Sequence, residues 1–265
     1  MRVRFIFDLV NKGAELPYHH QYLVTEFLTP YIQPYVTSAR NPSEIGYNFS
    51  ALKGQTSIGK EGLHFFSSRV SLVFSSNDPA LVASVAHQLF NQKEVMLGNL
   101  KLQPIQIDQE IPTVFATEMK YICLSPIALF NPEEHAIDAK RFIHPSFDIF
   151  SDALYENTLN RMEHTGVTAE ELNNYFQFQL IADKEYLNRT KDNEKKFARN
   201  YPVFIHGNKN EVRGYTFPFT LYAHPKVQEF IFHCGLGVFS EKGFGMLDIA
   251  NTDLHARVIP YTWKA

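Results

Sequence analysis

The chain has few of the residues that would mark a disulfide-stabilised, metal-binding or membrane protein. Its two cysteines, Cys123 and Cys234, are far apart and form no CxxC pair, which favours a reducing compartment and argues against a zinc site. The histidines include no HxxxH or HExxH pair. The N-terminus alternates apolar and polar residues, unlike a signal peptide or a membrane span. These absences predict a globular protein of the cytoplasm without a bound metal or cofactor.

The chain also lacks the surplus of positive charge expected of a nucleic-acid-binding protein, because its formal net charge is −3. The charge is unevenly distributed, however. Residues 184–213 carry eight basic and four acidic side chains, so this segment is positive while the rest of the chain is negative. Such a run can be a solvated face or a phosphate-binding stripe. The candidates for phosphate binding in it are Lys195, Lys196 and Arg199.

The hydrophobic pattern predicts two similar α+β halves. In the first half, the predicted strands are residues 2–10, 47–53, 63–75 and 95–107, and the predicted helices are residues 19–36 and 80–90. This is the β-α-β-β-α-β order of a ferredoxin-like fold. Later segments, including strands at 117–124 and 214–222, fit a decorated second copy. We therefore predict an α+β protein of two tandem ferredoxin-like domains, residues 1–125 and 126–265, packed side by side around a central cleft.

Residues 235–245 form the most distinctive run, with four glycines around Lys242. The preceding residues read as a helix and the following residues as a strand, which is the reverse of the order in dinucleotide-binding and P-loop motifs. A simple chain reversal would need only one or two glycines. The run therefore predicts an anion cradle formed by exposed backbone amides and the lysine.

This glycine pattern is similar to the signature loop of the CRISPR-associated repeat-processing endoribonucleases, members of the RAMP superfamily. Residues 16–22, 124–127 and 144–159 resemble three further elements of that family, in the same order along the chain. The resemblance implies an enzyme that binds CRISPR repeat RNA and cuts it without a metal ion. In that reaction the 2′-hydroxyl attacks the adjacent phosphate and leaves a 2′,3′-cyclic phosphate and a 5′-hydroxyl.

The resemblance also implies catalysis by a histidine between the first helix and the second strand, helped by a tyrosine on that helix and a nearby lysine. In this chain the connecting segment, residues 37–46, contains no histidine, and Thr29 stands where the helix tyrosine is best matched. The candidates for the catalytic roles are His20, Tyr31, Arg40 and Lys53.

Each catalytic candidate also has a structural interpretation. His20 can cap or orient the start of the first helix, and Tyr31 can pack in the core. Arg40 and Lys53 can be solvated surface cations. We expect Pro30 to bend or end the helix. We also expect His19 to be exposed, and either histidine becomes the leading acid or base if the start of this helix borders the RNA.

The candidates for RNA binding, beyond the basic segment, are Gly235, Gly237, Lys242, Gly243, Phe244 and Gly245. The expected partners are CRISPR repeat RNA, with subunits of a CRISPR effector complex and a second copy of the chain as further possibilities. Two other functions stay open at this point. One is a non-catalytic RNA-binding or structural member of the same superfamily, and the other is an unrelated ferredoxin-like domain that binds a small anion.

Overall fold

The computed structural model describes residues 1–130, 142–190, 197–205, 207–253 and 255–262. The first part of the chain forms β1 (Arg2–Leu9), β2 (Glu15–Pro17), α1 (Gln21–Ser38), β3 (Tyr47–Phe49), β4 (Thr56–Ile58), β5 (Gly62–Phe65), β6 (Arg69–Ser76), α2 (Pro79–Phe90), β7 (Val95–Leu97) and β8 (Leu100–Glu110). The second part forms β9 (Glu118–Cys123), α3 (Ile149–His164), α4 (Ala169–Leu172), β10 (Phe178–Ala182), α5 (Lys184–Thr190), β11 (Ala198–Ile205), β12 (Asn208–Tyr215), β13 (Phe219–Ala223), α6 (Pro225–Cys234), β14 (Leu247–Ile249) and β15 (Val258–Pro260).

The first sheet has the strand order β15-β8-β1-β6-β3, with all neighbours antiparallel, and β7 forms a hairpin with β8. Along the chain its ferredoxin-like core is β1, α1, β3, β6, α2 and β8. In β1, alternate residues from Val3 to Leu9 are buried in the core that α1 and α2 cover. Strands β2, β5 and β4 form a small separate sheet.

The second sheet repeats this arrangement with the order β10-β13-β9-β14. Its core follows the chain as β9, α3, β10, β13, α6 and β14, so both units have the ferredoxin-like order and the prediction of two such domains is confirmed. The hairpin of β11 and β12 is inserted between β10 and β13. The predicted division at residues 125 and 126 lies after β9, which already belongs to the second sheet, and β15 returns to the first sheet.

Three predicted strands are each two elements in the structure. Residues 63–75 divide into β5 and β6, residues 95–107 into β7 and β8, and residues 214–222 into the end of β12 and β13. Gly98, with a φ of 54°, makes the turn between β7 and β8. Of the two effects expected of Pro30, the end of the helix is not observed, because α1 continues through Pro30 and Pro34. The second helix begins as expected, since the Asp78 side chain accepts a hydrogen bond from the amide of Ala80.

Buried polar contacts join the two sheets. Arg2 donates a 2.7 Å hydrogen bond to the carbonyl of Leu247 in β14, and its guanidinium lies 4.3 Å from the ring centre of Phe232 in α6. The same guanidinium lies 3.1 Å from Glu110, in a pair whose side chains are almost completely buried. No helix among the described residues has the length and apolar character needed to cross a membrane.

Candidate nucleic-acid interface

The glycine-rich loop, residues 235–245, needs its glycines for conformation and for close packing. All four glycines have φ between 70° and 85°, the left-handed region. A Cβ atom on Gly235 would lie 1.7 Å from Nδ2 of Asn48, and one on Gly243 would lie 1.9 Å from Nε2 of Gln21. The loop therefore packs directly against β3 and α1 of the first unit.

Seven amides of this loop donate hydrogen bonds to carbonyls of the protein itself. Each bond runs from a backbone amide to a backbone carbonyl. The pairs, with the amide first, are Gly235 and Ile231, Leu236 and Gly245, Val238 and Ala128, Lys242 and Phe239, Gly243 and Ser240, Phe244 and Phe239, and Gly245 and Pro126. Arg161 of α3 also donates to the carbonyls of Gly235 and Gly237. These seven donors already have carbonyl partners, so they are not open to an anion. RNA binding by this loop stays a prediction.

Lys242 and Phe244 are loop residues that line a cavity. This cavity, which we call the helix cavity, has a volume of about 160 Å³ and lies between α1, β11 and the loop. The helix contributes Tyr22, Thr25, Glu26 and Thr29, whose spacing puts them on one face. Pro202, Val203 and Phe204 form the opposite wall, and Lys242 and Phe244 complete it. Phe244 is almost fully buried and its carbonyl accepts a hydrogen bond from Asn48, so its main role is packing.

A second cavity, the His19 cavity, lies at the N-terminal end of α1 and has a volume of about 390 Å³. Its wall includes His19, Lys209 and the carboxylates of Glu61 and Glu211. It shares Tyr22, Pro202 and Phe204 with the helix cavity, so the two cavities meet at these three side chains. The start of α1 therefore borders a continuous recessed surface that the β11–β12 hairpin completes.

His19 is half-buried at this surface, and its ring centre lies 4.8 Å from that of Tyr201 in β11. Partial burial lowers the pKa of His19, and the positive charge of Arg199 on β11 lowers it further. Arg199 is exposed on the same hairpin. Lys195 and Lys196, the other two candidates of the basic segment, lie outside the described residues.

His20 points into the protein instead. It is 6% exposed, its ring packs edge-on against Phe65, and Nδ1 lies 3.2 Å from the carbonyl oxygen of Pro17. Burial lowers the pKa of His20, and the carbonyls of Pro17 and Leu52 only partly offset this effect. It stands at the N-cap position of α1, but its side chain forms no capping hydrogen bond. Its place therefore suits orientation of the helix start better than contact with a substrate.

The other three catalytic candidates are spread over the first unit. Tyr31 packs at 5.8 Å from Phe27 on the helix-covered side of the sheet, and burial raises its pKa. Arg40 is exposed beyond the C-terminal end of α1, whose 18 residues span roughly 27 Å. Lys53 forms an isolated β-bridge with Ser71 of β6. Ser71 alternates with the core residues of that strand, so Ser71 and Lys53 lie on the side of the sheet opposite Tyr31. The structure does not bring these candidates together around one phosphate.

Lys53 is exposed and lies near the charges of Arg2, Arg4 and Asp248. Loss of hydration lowers its pKa, and the positive charges of Arg4 and Arg2 add to that effect, while Asp248 opposes it. Arg4 in turn donates to the hydroxyl of Ser71 at 3.4 Å. This cationic group lies apart from the two cavities beside α1. Among the described residues, no group of three or more His, Cys, Asp or Glu side chains is arranged to hold a metal ion.

Among the side chains that line the two cavities, sequence reasoning did not single out Tyr22, Glu26, Phe204 or Lys209. A signal for two of them is present, since Tyr22, Thr25, Glu26 and Thr29 repeat at helical spacing and form a polar stripe along α1. Phe204 and Lys209 come from a hairpin about 180 residues later in the chain, and no local pattern connects that hairpin with α1.

Comparison with solved structures agrees with this fold. A structure described as a Cas6-related gene product from Pyrococcus furiosus superposes with a TM-score of 0.72 at 18% identity, covering 96% of this chain and 99% of that chain. One described as CRISPR associated protein Cas6 gives 0.71 at 19% identity, with 95% and 99% covered. A third, described as a RAMP protein binding different RNA substrates, gives 0.73 at 18% identity, with 95% and 100% covered.

Comparison with curated protein sequences finds no match. The sequence does match a family model, described as CRISPR associated protein Cas6, C-terminal, over residues 109–249. This match covers more than half of the chain, including the glycine-rich loop, and confirms the resemblance given by the sequence motifs. The chain belongs to the Cas6 family of CRISPR-associated proteins.

Proposed function

We propose that this chain binds CRISPR repeat RNA and cuts it without a metal ion, at the surface formed by α1, the β11–β12 hairpin and the glycine-rich loop. Membership of the Cas6 family supports the RNA substrate. One observation supports this location of the site. His19 and Lys209 line the same cavity, and that cavity adjoins the helix cavity that contains Lys242. A titratable imidazole and two ammonium groups therefore lie along one recessed surface.

In this proposal His19 removes the proton from the 2′-hydroxyl. A general base must be unprotonated to act, and partial burial and Arg199 favour the neutral imidazole at neutral pH. The oxygen of the 2′-hydroxyl then attacks the adjacent phosphorus, the bond to the 5′ oxygen breaks, and a 2′,3′-cyclic phosphate forms. Lys209 stabilises the negative charge of the phosphorane and transfers a proton from its ammonium group to the departing 5′ oxygen, which becomes the 5′-hydroxyl. Lys242 binds a neighbouring phosphate.

A second function, RNA binding without cleavage, is favoured by a specific observation. Residues 37–46 contain no histidine, and Tyr31 and Lys53 lie on opposite sides of the first sheet. The arrangement that the family resemblance implies is thus not assembled from those residues. If His19 does not act as the base, the same surface would hold repeat RNA without cutting it.

The test is cleavage of a labelled CRISPR repeat RNA, taken from the genome that encodes the chain, in excess EDTA. We expect a cyclic-phosphate product and no cleavage of a substrate with a 2′-deoxy nucleotide at the cut site. His19→Ala should reduce the single-turnover rate by about 10²–10⁴-fold. The matched control His164→Ala changes an exposed histidine on α3 and should leave the rate unchanged.

Tight binding by the native chain without any product would support the binding function and contradict the assignment of His19. An unchanged rate in His19→Ala, with loss of cleavage in Lys53→Ala, would place the chemistry at Lys53 instead.

A further inference from the structure

The helix cavity contains two opposite charges that do not pair. Glu26 and Lys242 both line it, and within the described part of the chain neither side chain forms an ion pair. A carboxylate and an ammonium group that border one cavity and stay separate can each bind a different part of a ligand. That ligand would present hydrogen-bond donors to Glu26 and a negative charge to Lys242.

Three of the four α1 side chains that line the cavity, those of Thr25, Glu26 and Thr29, offer acceptors to it. The hydroxyl of Thr25 donates its proton to the carbonyl of Gln21 at 3.1 Å, and the hydroxyl of Thr29 donates to the carbonyl of Thr25 at 2.7 Å. Towards the cavity these hydroxyls present only lone pairs, and the carboxylate of Glu26 is also an acceptor. A ligand that pairs with these three side chains must therefore present more than one hydrogen-bond donor.

The opposite wall is aromatic and partly open. Phe204 is 40% exposed, and its ring centre lies 5.5 Å from that of Tyr22. Unstacked bases of single-stranded RNA bind on such aromatic side chains. The volume of about 160 Å³ is well below the roughly 300–1,000 Å³ of a pocket for a drug-sized ligand, so it suits one planar heterocycle.

We propose that the helix cavity binds one unpaired guanine base of the RNA. Guanine has two adjacent donors on its Watson–Crick edge, N1–H and N2–H, and a carboxylate can accept both. Glu26 accepts these two hydrogen bonds, Phe204 stacks against the base, and Lys242 binds a phosphate next to it. This inference rests on the proposed function for its substrate class.

The position of the cavity gives this guanine a role in choosing the cut site. Because the helix cavity and the His19 cavity share Tyr22, Pro202 and Phe204, a base held in one places its neighbouring nucleotide beside the other. Recognition of one base would then fix which phosphate reaches His19. Glu26 is in this sense a specificity residue and takes no part in the proton transfers.

The test measures binding by fluorescence anisotropy with three labelled nonamers of uridine that carry one central guanosine, inosine or adenosine. Inosine keeps N1–H and lacks the N2 amino group. We expect the guanosine nonamer to bind the native chain about tenfold more tightly than the adenosine nonamer, with inosine between them. Glu26→Gln should remove this preference and weaken guanosine binding about tenfold. The NH2 group of the new glutamine would face an N–H donor of guanine, so one of the two hydrogen bonds is lost.

The matched control is Glu156→Gln, which removes the same charge from an exposed position on α3. Guanine recognition by Glu26 and simple repulsion of phosphates by Glu26 predict opposite effects of Glu26→Gln on RNA affinity. If Glu26 only repels phosphates, Glu26→Gln tightens the binding of all three nonamers, as removal of a negative charge should. That result, or equal affinity for guanosine and adenosine, would overturn the proposal. Thermal unfolding of each variant checks that the fold is kept.

A separate measurement with GMP distinguishes failure of this inference from failure of the proposed function. Saturation-transfer NMR with GMP and AMP reports binding of the base without RNA chemistry. Transfer to GMP that exceeds transfer to AMP and disappears in Glu26→Gln would support the cavity even if the chain cut no repeat RNA. Equal transfer to both nucleotides, or none, would overturn the guanine site even if cleavage were observed.

Discussion

Gln21 donates a 3.0 Å hydrogen bond from its side-chain amide to the carbonyl of Gly243. The donor is the first residue of α1 and the acceptor belongs to the glycine-rich loop, so the loop of the second unit is fastened to the first helix. Asn48 makes the equivalent contact from β3, with a 2.6 Å bond to the carbonyl of Phe244. The glycine-rich loop thus holds α1 and Lys242 in a fixed relation across the two units.

Gly243→Ala is expected to destabilise the chain strongly. Its φ of 80° disfavours any side chain, and the new Cβ would lie 1.9 Å from Nε2 of Gln21 and 2.5 Å from the ring of Phe49. Gly207→Ala is the matched control, because Gly207 has the same φ and no atom within 4 Å of the new Cβ. We expect a loss of about 1–2 kcal/mol for Gly207→Ala from conformation alone, and roughly 1–3 kcal/mol more for Gly243→Ala. Urea unfolding measures both, and equal losses would show that the loop does not pack tightly.

Much of the fold could be predicted from local pattern. The alternation from Val3 to Leu9 predicts β1, and Asp78 before Pro79 is typical of a helix start such as that of α2. The pattern failed where two elements follow each other with the same periodicity. Residues 63–75 keep a strand-like sequence throughout, but Leu63 pairs with Leu16 in the small sheet while Leu72 pairs with Phe5 in the large one. Only the distant partners separate β5 from β6.

The site was harder to predict because its parts meet only in three dimensions. Four glycines correctly indicated an unusual backbone, yet the sequence could not show that the loop amides bind residues such as Pro126 and Ala128, more than 100 positions earlier. His19 and His20 precede the helix, so helical phase could not tell which ring is buried. The buried ring is that of His20, which packs against Phe65, while the ring of His19 packs against Tyr201 and stays partly exposed.

Glu110→Gln tests the buried charges between the sheets. Glu110 lies 3.1 Å from Arg2 and 3.8 Å from Arg257, and its side chain is 3% exposed. Without the charge of Glu110, the positive charges of the two arginines are less well neutralised. We therefore expect the free energy of unfolding to fall by about 3–5 kcal/mol. Asp8→Asn, in an exposed pair 3.5 Å from Arg69, should cost less than about 1 kcal/mol. Similar losses for the two variants in urea unfolding would contradict a buried pair.

His233 should make the chain less stable in mild acid. Burial lowers its pKa to about 3, and the charges of the N-terminal amino group and Arg2 act in the same direction. An unfolded histidine titrates near 6.5, so as the pH falls below that value the unfolded state binds the proton first. Stability is therefore full above about pH 6.5 and is lost by up to about 1.4 kcal/mol per pH unit towards pH 3.

Urea midpoints at pH 7, 6 and 5 check this effect. In His233→Gln the fall in stability with pH should be shallower than in the native chain, because the substituted side chain does not titrate. The exposed residue His164 provides the control, since His164→Gln should keep the native slope. An identical slope in His233→Gln would assign the acid sensitivity to other groups.

The pH dependence of cleavage tests whether His19 is the base. Partial burial and Arg199 lower its pKa, so the single-turnover rate should be level at neutral pH and fall only below the ordinary histidine value of about 6.5. Arg199→Gln removes one of the two causes, and the acid limb of the profile should then move to higher pH. Lys12→Gln serves as the control, because this residue lies in a turn after β1 and does not contribute to the pKa shift of His19. A limb that stays in place in Arg199→Gln would show that the titrating base is a group other than His19.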